Sequence, residues 1–280
     1  MVRILLVLPL MFLVLLINPF SRAANPEEEK LKLQLRSRVQ VFKGSDQTEE
    51  VFLSKEFNPK ETALILCDVW DQHWCKKATE RCDVLAKKMD AVVKFARSKG
   101  IFVIHAPSDC MDFYKSSPAR LRMKDSVKVE MPKPIQLPDP VCPVDSSDGG
   151  CDDDPPAKFF KAWSRQHPAI EIDEAKDGIT DNGQEVYNVL AAKGIKNLLV
   201  MGVHTNMCIL HRSFAIKPMS RLGIKCILIR DLTDAMYNPK MKPNVSHDEG
   251  TEKIIQFIEE NWCPSMLSSD LKKKPVLIRD

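Results

Sequence analysis

The chain has 280 residues, of which 44% are hydrophobic and 28% are charged, with 41 Lys and Arg against 38 Asp and Glu. This balance is typical of a globular protein with a substantial core, and it excludes a disordered chain. Basic residues are interleaved with acidic ones and form no patch, so the sequence gives no indication of nucleic-acid binding.

Residues 1–23 have the features of a secretory signal peptide. Arg3 precedes an apolar run at 4–17, and residues 21–23 supply small side chains at the usual cleavage spacing. The run is shorter than the about 20 apolar residues that a membrane-spanning helix needs. We expect cleavage near Ala23, which leaves 39 basic and 38 acidic residues. The sequence thus predicts a secreted or periplasmic protein with no stable membrane span, and an uncleaved signal anchor is the alternative.

The rest of the chain divides into an extension at 24–57, a main domain at 58–265 and a tail at 266–280. The extension is charged and only weakly periodic, whereas the domain shows alternating strand and helix patterns. Strands are predicted at 62–68, 101–105, 197–203 and 225–230, and helices at 82–99, 184–193, 207–222 and 251–260. Strands that alternate with helices of this length predict a three-layer α/β/α fold with a central, mostly parallel sheet.

A long excursion interrupts this alternation at residues 107–160, which are rich in Pro, Asp and Ser. A loop of that length in a compact domain is usually functional, so we expect it to lie over the site. Cys142 and Cys151 are the best candidates for a disulfide because a flexible polar stretch with two glycines separates them. Cys67 and Cys226 lie in apolar runs and are expected to be free core residues. The sequence assigns no partner to the cysteines at 75, 82, 110 and 263.

Several polar residues stand at the carboxyl ends of predicted strands, where parallel sheets bind ligands. These are Asp68, His105, Asp231 and the segment 204–208, and we expect them to converge. Cys208 is the candidate nucleophile because a thiol at the start of a helix has its pKa lowered by unpaired N–H groups. Asp68 emerges from a buried strand and could accept the thiol proton. The alternatives are an ordinary buried cysteine and an aspartate that caps a turn.

Four segments resemble the isochorismatase-like cysteine hydrolases, the superfamily that includes nicotinamidase and N-carbamoylsarcosine amidase. They are LILCDVWD at 64–71, KGIFVIH at 99–105, AKGIKNLLVMGVHTNMC at 192–208 and ILIRD at 227–231. The resemblance covers roughly residues 60–262. It implies a Rossmann-like three-layer α/β fold and an Asp-Lys-Cys triad that acts on an amide or related C–N bond, with no cofactor.

In the terms of this resemblance, Asp68 is the base and Cys208 attacks the carbonyl carbon to form a thioester. Lys176 is the nearest match to the lysine, but it is displaced by about one position and lacks the aromatic residue that follows it in the family. A solvated loop lysine is the alternative for Lys176. In that case Arg165 or Lys161 would supply the positive charge.

The resemblance also implies a cis peptide bond between Val203 and His204, and an oxyanion hole formed by backbone N–H groups around Thr205 and Cys208. The residues Trp70, His73 and Asn206 are candidates for the wall of the substrate pocket. The Asp71-x-His73 spacing suits a metal, but no third ligand accompanies it, so no metal is expected. The remaining histidines at 105, 211 and 247 are expected to be scaffold or ordinary helix-face residues.

The sequence therefore predicts an exported cysteine hydrolase that cleaves a C–N bond of a small amide or ureido substrate through a thioester on Cys208. The resemblance implies a homodimer or homotetramer. One alternative is a non-catalytic exported protein that binds a small molecule on the same fold. The other is an isochorismatase-type vinyl-ether hydrolase, although those enzymes characteristically replace the cysteine.

Overall fold

A computed structural model of the protein describes residues 30–272. The predicted signal peptide at 1–23 and the part of the predicted tail at 273–280 lie outside the described residues. Among the residues that are described, no helix combines the length and apolar character needed to cross a membrane.

The described part of the chain forms one sheet with helices on its two faces. Its strands are β1 (Leu31–Gln40), β2 (Thr48–Phe57), β3 (Thr62–Cys67), β4 (Phe102–Ala106), β5 (Gly178–Ile179), β6 (Asn197–Val203), β7 (Lys225–Asp234) and β8 (Ser265–Met266). Its helices are α1 (Lys76–Ser98), α2 (Pro118–Lys124), α3 (Gly183–Ala192), α4 (Cys208–His211), α5 (Ile216–Arg221) and α6 (His247–Asn261), with short 3-10 helices at Pro59–Glu61 and Ser268–Lys272.

The strand order is β2-β1-β8-β7-β6-β3-β4-β5. Neighbours from β8 to β5 are parallel, and the β1–β2 hairpin is antiparallel to β8 at one edge. The strands predicted at 62–68, 101–105 and 197–203 are the central ones, and they are buried on both faces as continuous apolar runs predict. The prediction of a mostly parallel sheet in a three-layer α/β fold is confirmed.

The helices cover the sheet as two separate cores because successive residues of a strand point to opposite faces. On one face, α1 packs through Met89 and Val93 against residues such as Leu64 of β3. On the other face, α3, α5 and α6 pack against residues such as Ile65 of β3 and Leu198 of β6. Both sides of the central strands are therefore dry, and polar groups reach the surface at the strand ends.

The two ends of the chain differ from the sequence prediction. The segment expected to be a weakly periodic extension contributes β1 and β2, because alternate leucines of β1, at 31, 33 and 35, face the core while the residues between them are more exposed. The domain also continues beyond residue 265, since Met266 belongs to β8 and Leu271 is buried against the same core.

The helix predicted at 207–222 is interrupted after four residues. Arg212 leaves the helical conformation with ψ 145°, and α5 begins at Ile216 with Pro218 in its first turn. A continuous helix would press the ring of Pro218 against the carbonyl group of residue 214, so the proline excludes it. The break sets Arg212 at the end of a single helical turn, next to the carboxyl ends of the strands.

Strand β7 runs to Asp234, four residues further than predicted, with a register shift against β6 near residues 200–202. Asp231 is therefore exposed within the strand, where its carboxylate accepts hydrogen bonds from the backbone and hydroxyl of Ser268. The expectation that Asp231 joins the other strand-end residues is wrong. Asp234 is the residue at the carboxyl end of β7.

The predicted Cys142–Cys151 disulfide is not formed, and both side chains are free thiols in the structure. Cys142 packs against the core on the α5 and α6 face, whereas Cys151 is buried in a different cluster with Cys75 at the start of α1. The reason is that Asp152 and Asp153 bind the first turns of α1 and draw Cys151 there.

Gly202 marks the closest approach of β6 to β3. It has φ +128°, and a Cβ atom there would lie 2.0 Å from the carbonyl oxygen of Cys67. That carbonyl belongs to the last residue of β3, directly before Asp68. Only glycine therefore allows the two strand ends to lie side by side.

We predict that Gly202→Ala strongly destabilises the protein because the new methyl group collides with backbone that cannot move away. The matched control is Gly194→Ala, which also has a positive φ, +67°, but has no atom within 4 Å of the added Cβ. The control should cost only the left-handed strain of about 1 kcal/mol, and Gly202→Ala about 3 kcal/mol or more. Denaturant unfolding of both variants measures the difference, and equal losses would refute the close approach.

Candidate active site

The site lies where β3 and β6 end next to each other in the sheet. Cys67 pairs with Gly202 in the parallel register, so the residues that follow each strand emerge at the same edge. Asp68 has φ 50°, and its N–H donates to the carbonyl oxygen of Ala106 at the end of β4. Three neighbouring strands thus fix the position of the Asp68 carboxylate beside the turn that leads to Cys208.

The Asp68 carboxylate is fully buried and has partners on both oxygens. The backbone N–H of Ser108 donates to Oδ1 at 2.8 Å, and Nε of Arg212 donates to Oδ2 at 2.8 Å. The thiol of Cys208, at the first position of α4, lies near enough to this carboxylate for each group to shift the pKa of the other. The structure therefore brings the predicted base and the predicted nucleophile close together.

The cation at this site is Arg212 and not Lys176. Lys176 lies on the surface with 69% of its side chain exposed, paired with Asp173 at 3.2 Å. It lines a cavity with Gly100 and Phe102, at the amino end of β4, opposite to the end that carries Asp68. The structure does not bring Lys176 close to Asp68 and Cys208. The loop before β5, which carries Lys176, lies at the amino ends of the strands, opposite to the site.

The two other basic residues considered from the sequence also point elsewhere. The guanidinium of Arg165 lies over the ring of Phe113, and Nζ of Lys161 donates to the backbone oxygen of Asp109 at 2.7 Å. Arg212 carried one signal in the sequence. It follows Cys208 by four residues in a predicted helix, and residues at that spacing share a helix face.

Burial is the main influence on both reactive groups. It raises the pKa of the Asp68 carboxyl, although the charge of Arg212 and hydrogen bonds from Cys208 and Ser108 oppose the rise. Burial, the Asp68 charge and the hydrogen bond to Asp68 raise the pKa of the Cys208 thiol well above its usual range, and Arg212 only partly counteracts them. The expectation of a thiol pKa lowered by a helix N-terminus is thus wrong, because burial and the Asp68 charge outweigh the effect of the single-turn helix α4.

The ion pair with Arg212 favours an ionised Asp68, and the raised pKa of the Cys208 thiol favours its neutral form, so the resting site holds a neutral thiol, a carboxylate and a guanidinium cation. Transfer of the thiol proton to Asp68 would give a thiolate and a carboxylic acid without changing the total charge. A buried site tolerates such a transfer because no new net charge has to be desolvated. The guanidinium keeps its proton throughout, so its positive charge is available to the thiolate as well.

The turn between β6 and α4 is held by backbone and side-chain contacts. The peptide bond between Val203 and His204 is cis. The backbone N–H of Thr205 donates to the carbonyl oxygen of Asp234 at 2.8 Å, so this N–H cannot serve as the expected oxyanion donor. Asn206 makes two hydrogen bonds to the backbone of Met236 and acts as a clamp for the turn. Its assignment to the pocket wall is therefore corrected to a structural role.

Aromatic rings form one side of the site. Trp70 stacks on Trp163 with centroids 4.4 Å apart, and His73 lies against Trp163 and against His204 at 5.9 and 4.9 Å. Cys208 packs against the Trp70 cluster. The indole N–H of Trp163 is buried without a hydrogen-bond partner among the described residues. Sequence reasoning missed Trp163, which lies just after the polar excursion.

The histidines of this wall are uncharged. Burial lowers the pKa of His73 to about 4 and that of His204 to about 3, and nearby positive groups act in the same direction. His73 Nδ1 accepts the backbone N–H of Cys75 at 3.2 Å. The Asp71 carboxylate accepts the backbone and hydroxyl groups of Ser164. Both members of the Asp71-x-His73 pair are therefore occupied by scaffold contacts.

The other histidines considered from the sequence lie outside the reactive contact. His105 is buried, with its ring nitrogens 2.8 Å from Gln166 and 3.0 Å from Asp177. His247 lies between the backbone oxygen of Tyr237 and the Asp234 carboxylate. The exposed His211 is on the outer side of α4. The first two brace the strand ends, as the sequence predicts for scaffold residues.

No family model matches the chain, and a search of curated proteins finds no match. Solved structures with a similar fold include a cysteine hydrolase from Pseudomonas syringae pv. phaseolicola 1448A, at 16% identity and TM-score 0.48 over 76% of this chain and 92% of that one. An isochorismatase family protein from Desulfovibrio vulgaris subsp. vulgaris str. Hildenborough has 14% identity and TM-score 0.44, over 78% and 99% of the chains. PnC1 from L. infantum, in complex with nicotinate, has 14% identity and TM-score 0.40, over 76% and 95%.

We predict that Asp68→Asn lowers the pKa of the Cys208 thiol because it removes the anion that, with burial, raises it. The rate of Cys208 alkylation by iodoacetamide, followed by peptide mass spectrometry across neutral and alkaline pH, should reach its midpoint at lower pH in the variant. The shift should be about one unit or more for a direct contact in a dry site. Cys142 has a pKa raised mainly by burial without an Asp68 influence, so it is the internal control. An unchanged or higher midpoint for Cys208 would contradict the contact.

Proposed function

We propose that the protein is a hydrolase that cleaves a C–N bond of a small amide or ureido substrate through a thioester on Cys208. The observation that carries this proposal is the fully buried Asp68 carboxylate, which is paired with Arg212 and lies beside the Cys208 thiol. A nucleophile, a base and a fixed positive charge therefore lie next to one another in a buried site.

In the proposed reaction, Asp68 takes the thiol proton while the sulfur of Cys208 forms a bond to the substrate carbonyl carbon. The tetrahedral intermediate then expels the amine as the C–N bond breaks, and Asp68 returns the proton to the leaving nitrogen. Water attacks the resulting thioester, with Asp68 as the base again, and releases the acid and the free thiol. Coupling the attack to proton transfer suits a thiol whose pKa is raised.

The role of Arg212 differs from that of a catalytic lysine because its guanidinium stays charged throughout the reaction cycle. Its Nε holds one oxygen of Asp68, and its side chain is 34% exposed at the mouth of the site. The charge stabilises the thiolate as the proton leaves. It also makes the site favourable for a substrate that carries negative charge near the scissile bond.

The substrate class follows from the wall beside Cys208. The stacked rings of Trp70, Trp163 and His73 give this side of the site an apolar, aromatic character, which suits a small planar substrate. A planar carboxamide or a ureido acid meets this requirement.

Export is part of the proposal and depends on the sequence of residues 1–23 alone. The supporting observation is the charged residue, apolar run and small-residue cleavage site of that segment. The test is expression of the complete chain followed by cell fractionation and N-terminal sequencing. We expect a mature chain that begins near residue 24 outside the cytoplasm, and a full-length cytoplasmic chain would refute export.

The hydrolase is tested with a panel of small carboxamides and ureido acids, with ammonia release as the signal and acid quenching to trap the acylated protein. We expect a mass increase on the peptide that contains Cys208, and loss of turnover by about 10³-fold or more in Cys208→Ala. Cys142→Ala, which changes a thiol away from the site, should keep wild-type rates. Binding of panel compounds without any turnover or adduct would instead indicate a non-catalytic binding protein.

The next prediction concerns the role of Arg212. Arg212→Gln leaves the buried Asp68 charge without its partner, so we expect turnover to fall by about 10²-fold and the free energy of unfolding by about 2 kcal/mol. Arg212→Lys retains the charge but loses the fixed Nε geometry, and it should recover a substantial part of both. Lys176→Gln is the matched surface control and should change neither. A loss of turnover in Lys176→Gln with none in Arg212→Gln would reverse the assignment.

A further inference from the structure

A second pair of thiols lies close together outside the reactive contact. The sulfur atoms of Cys75 and Cys151 and a carboxylate oxygen of Asp153 all lie within 4.8 Å of one another. Cys75 is 0% exposed and Cys151 2%, and they share a small core with Met236 and Ala78. Their sequence separation is large, so this proximity is created by the tertiary structure.

Contacts between α1 and the residues that follow Cys151 hold the two cysteines next to each other. Cys75 is the N-cap residue of α1, and its side chain makes no capping hydrogen bond. Asp153 supplies the cap from the excursion, accepting the backbone N–H groups of Lys76 at 2.8 Å and Lys77 at 3.0 Å. Arg81, one turn into α1, binds both carboxylate oxygens of Asp152. The contacts of Asp152 and Asp153 thus place Cys151 beside Cys75 without any bond between the two sulfur atoms.

We propose that Cys75 and Cys151 form a disulfide that ties the long excursion to the start of α1. In the reaction, two thiols lose two protons and two electrons to a dithiol–disulfide oxidant such as oxidised glutathione, which is reduced to two thiols as the sulfur–sulfur bond forms. The two sulfur atoms already lie within 4.8 Å of each other, and the contacts of Asp152 and Asp153 with α1 keep the two segments together.

A metal explains the cluster less well than a disulfide. Both oxygens of Asp153 already accept backbone N–H groups of α1, and the positive end of that helix disfavours a cation there. Within this cluster that leaves two sulfur atoms as ligands, fewer than a structural zinc site requires. Burial and the neighbouring Cys151 raise the pKa of Cys75 to about 12, so neither zinc nor an oxidant meets a ready thiolate in the folded protein. The bond would form while the chain folds and the thiols are accessible.

The cross-link would act close to the site without entering it. His73, two residues before Cys75, contacts the ring of His204 in the turn that presents Cys208. Trp74 packs against Phe159 near the end of the excursion. Joining Cys75 to Cys151 fixes the aromatic wall and the excursion to one point. It also closes the long chain segment between them, which stabilises the fold by limiting the unfolded state.

The test is a map of the disulfides in the full chain produced in an oxidising compartment and digested without reductant after alkylation. We expect a linked peptide pair that contains Cys75 and Cys151 and is two hydrogens lighter than the separate peptides. Reduction should lower Tm by about 5 °C or more. Cys151→Ala should lower Tm by a similar amount and be insensitive to reductant, whereas Cys142→Ala should behave like wild type.

Three outcomes would overturn the proposal. The first is complete alkylation of Cys75 and Cys151 in the denatured, unreduced protein. The second is a linked pair that joins either residue to another cysteine. The third is one zinc ion per chain, measured on the native protein, that disappears in Cys151→Ala. None of these measurements uses turnover, so they remain decisive even if the protein is not a hydrolase.

Discussion

The burial of the Asp68 carboxylate is the constraint around which the site is organised. An isolated anion in a dry strand end costs many kcal/mol, so the chain has to surround it with donors. Ser108 and Arg212 supply two of them, and the Cys208 thiol supplies a third. The close approach at Gly202 and the helix break before α5 both serve this arrangement, because they place the turn and Arg212 beside the carboxylate.

The same constraint sets the chemistry of the thiol. Burial and the neighbouring Asp68 charge raise the pKa of the Cys208 thiol, so the resting group is protonated and shielded from general electrophiles. Reaction then requires a substrate that draws the proton onto Asp68 as the sulfur attacks. In the proposed hydrolase, selectivity therefore comes from coupling proton transfer to a bound planar carbonyl compound, and not from a permanently ionised thiolate.

The excursion is held to the domain by charge pairs whose partners lie far apart in sequence. Arg81 binds Asp152 and Asp234, and the latter accepts from His247 on α6. Burial raises the pKa of Asp234, but His247 and Arg81 outweigh it and lower the pKa overall. The proposed Cys75–Cys151 bond would add a covalent fixing point to this network. The excursion, the aromatic wall and the turn that carries Cys208 would then behave as one unit.

The sequence by itself determined a mostly parallel sheet, the central strands and helices that alternate along the chain, and the expectation that Asp68 lies near Cys208. Apolar runs and helical spacing depend on nearby residues, and parallel strands bring their carboxyl ends to one edge whatever the loops do. The tertiary structure alone decided that Arg212 is the cation, that Lys176 lies at the opposite edge, and that Cys151 adjoins Cys75 instead of Cys142. The position of Arg212 depends on the helix break at Pro218, which the sequence contains but the predicted helix at 207–222 overlooked. The other outcomes depend on long-range contacts, which local patterns do not encode.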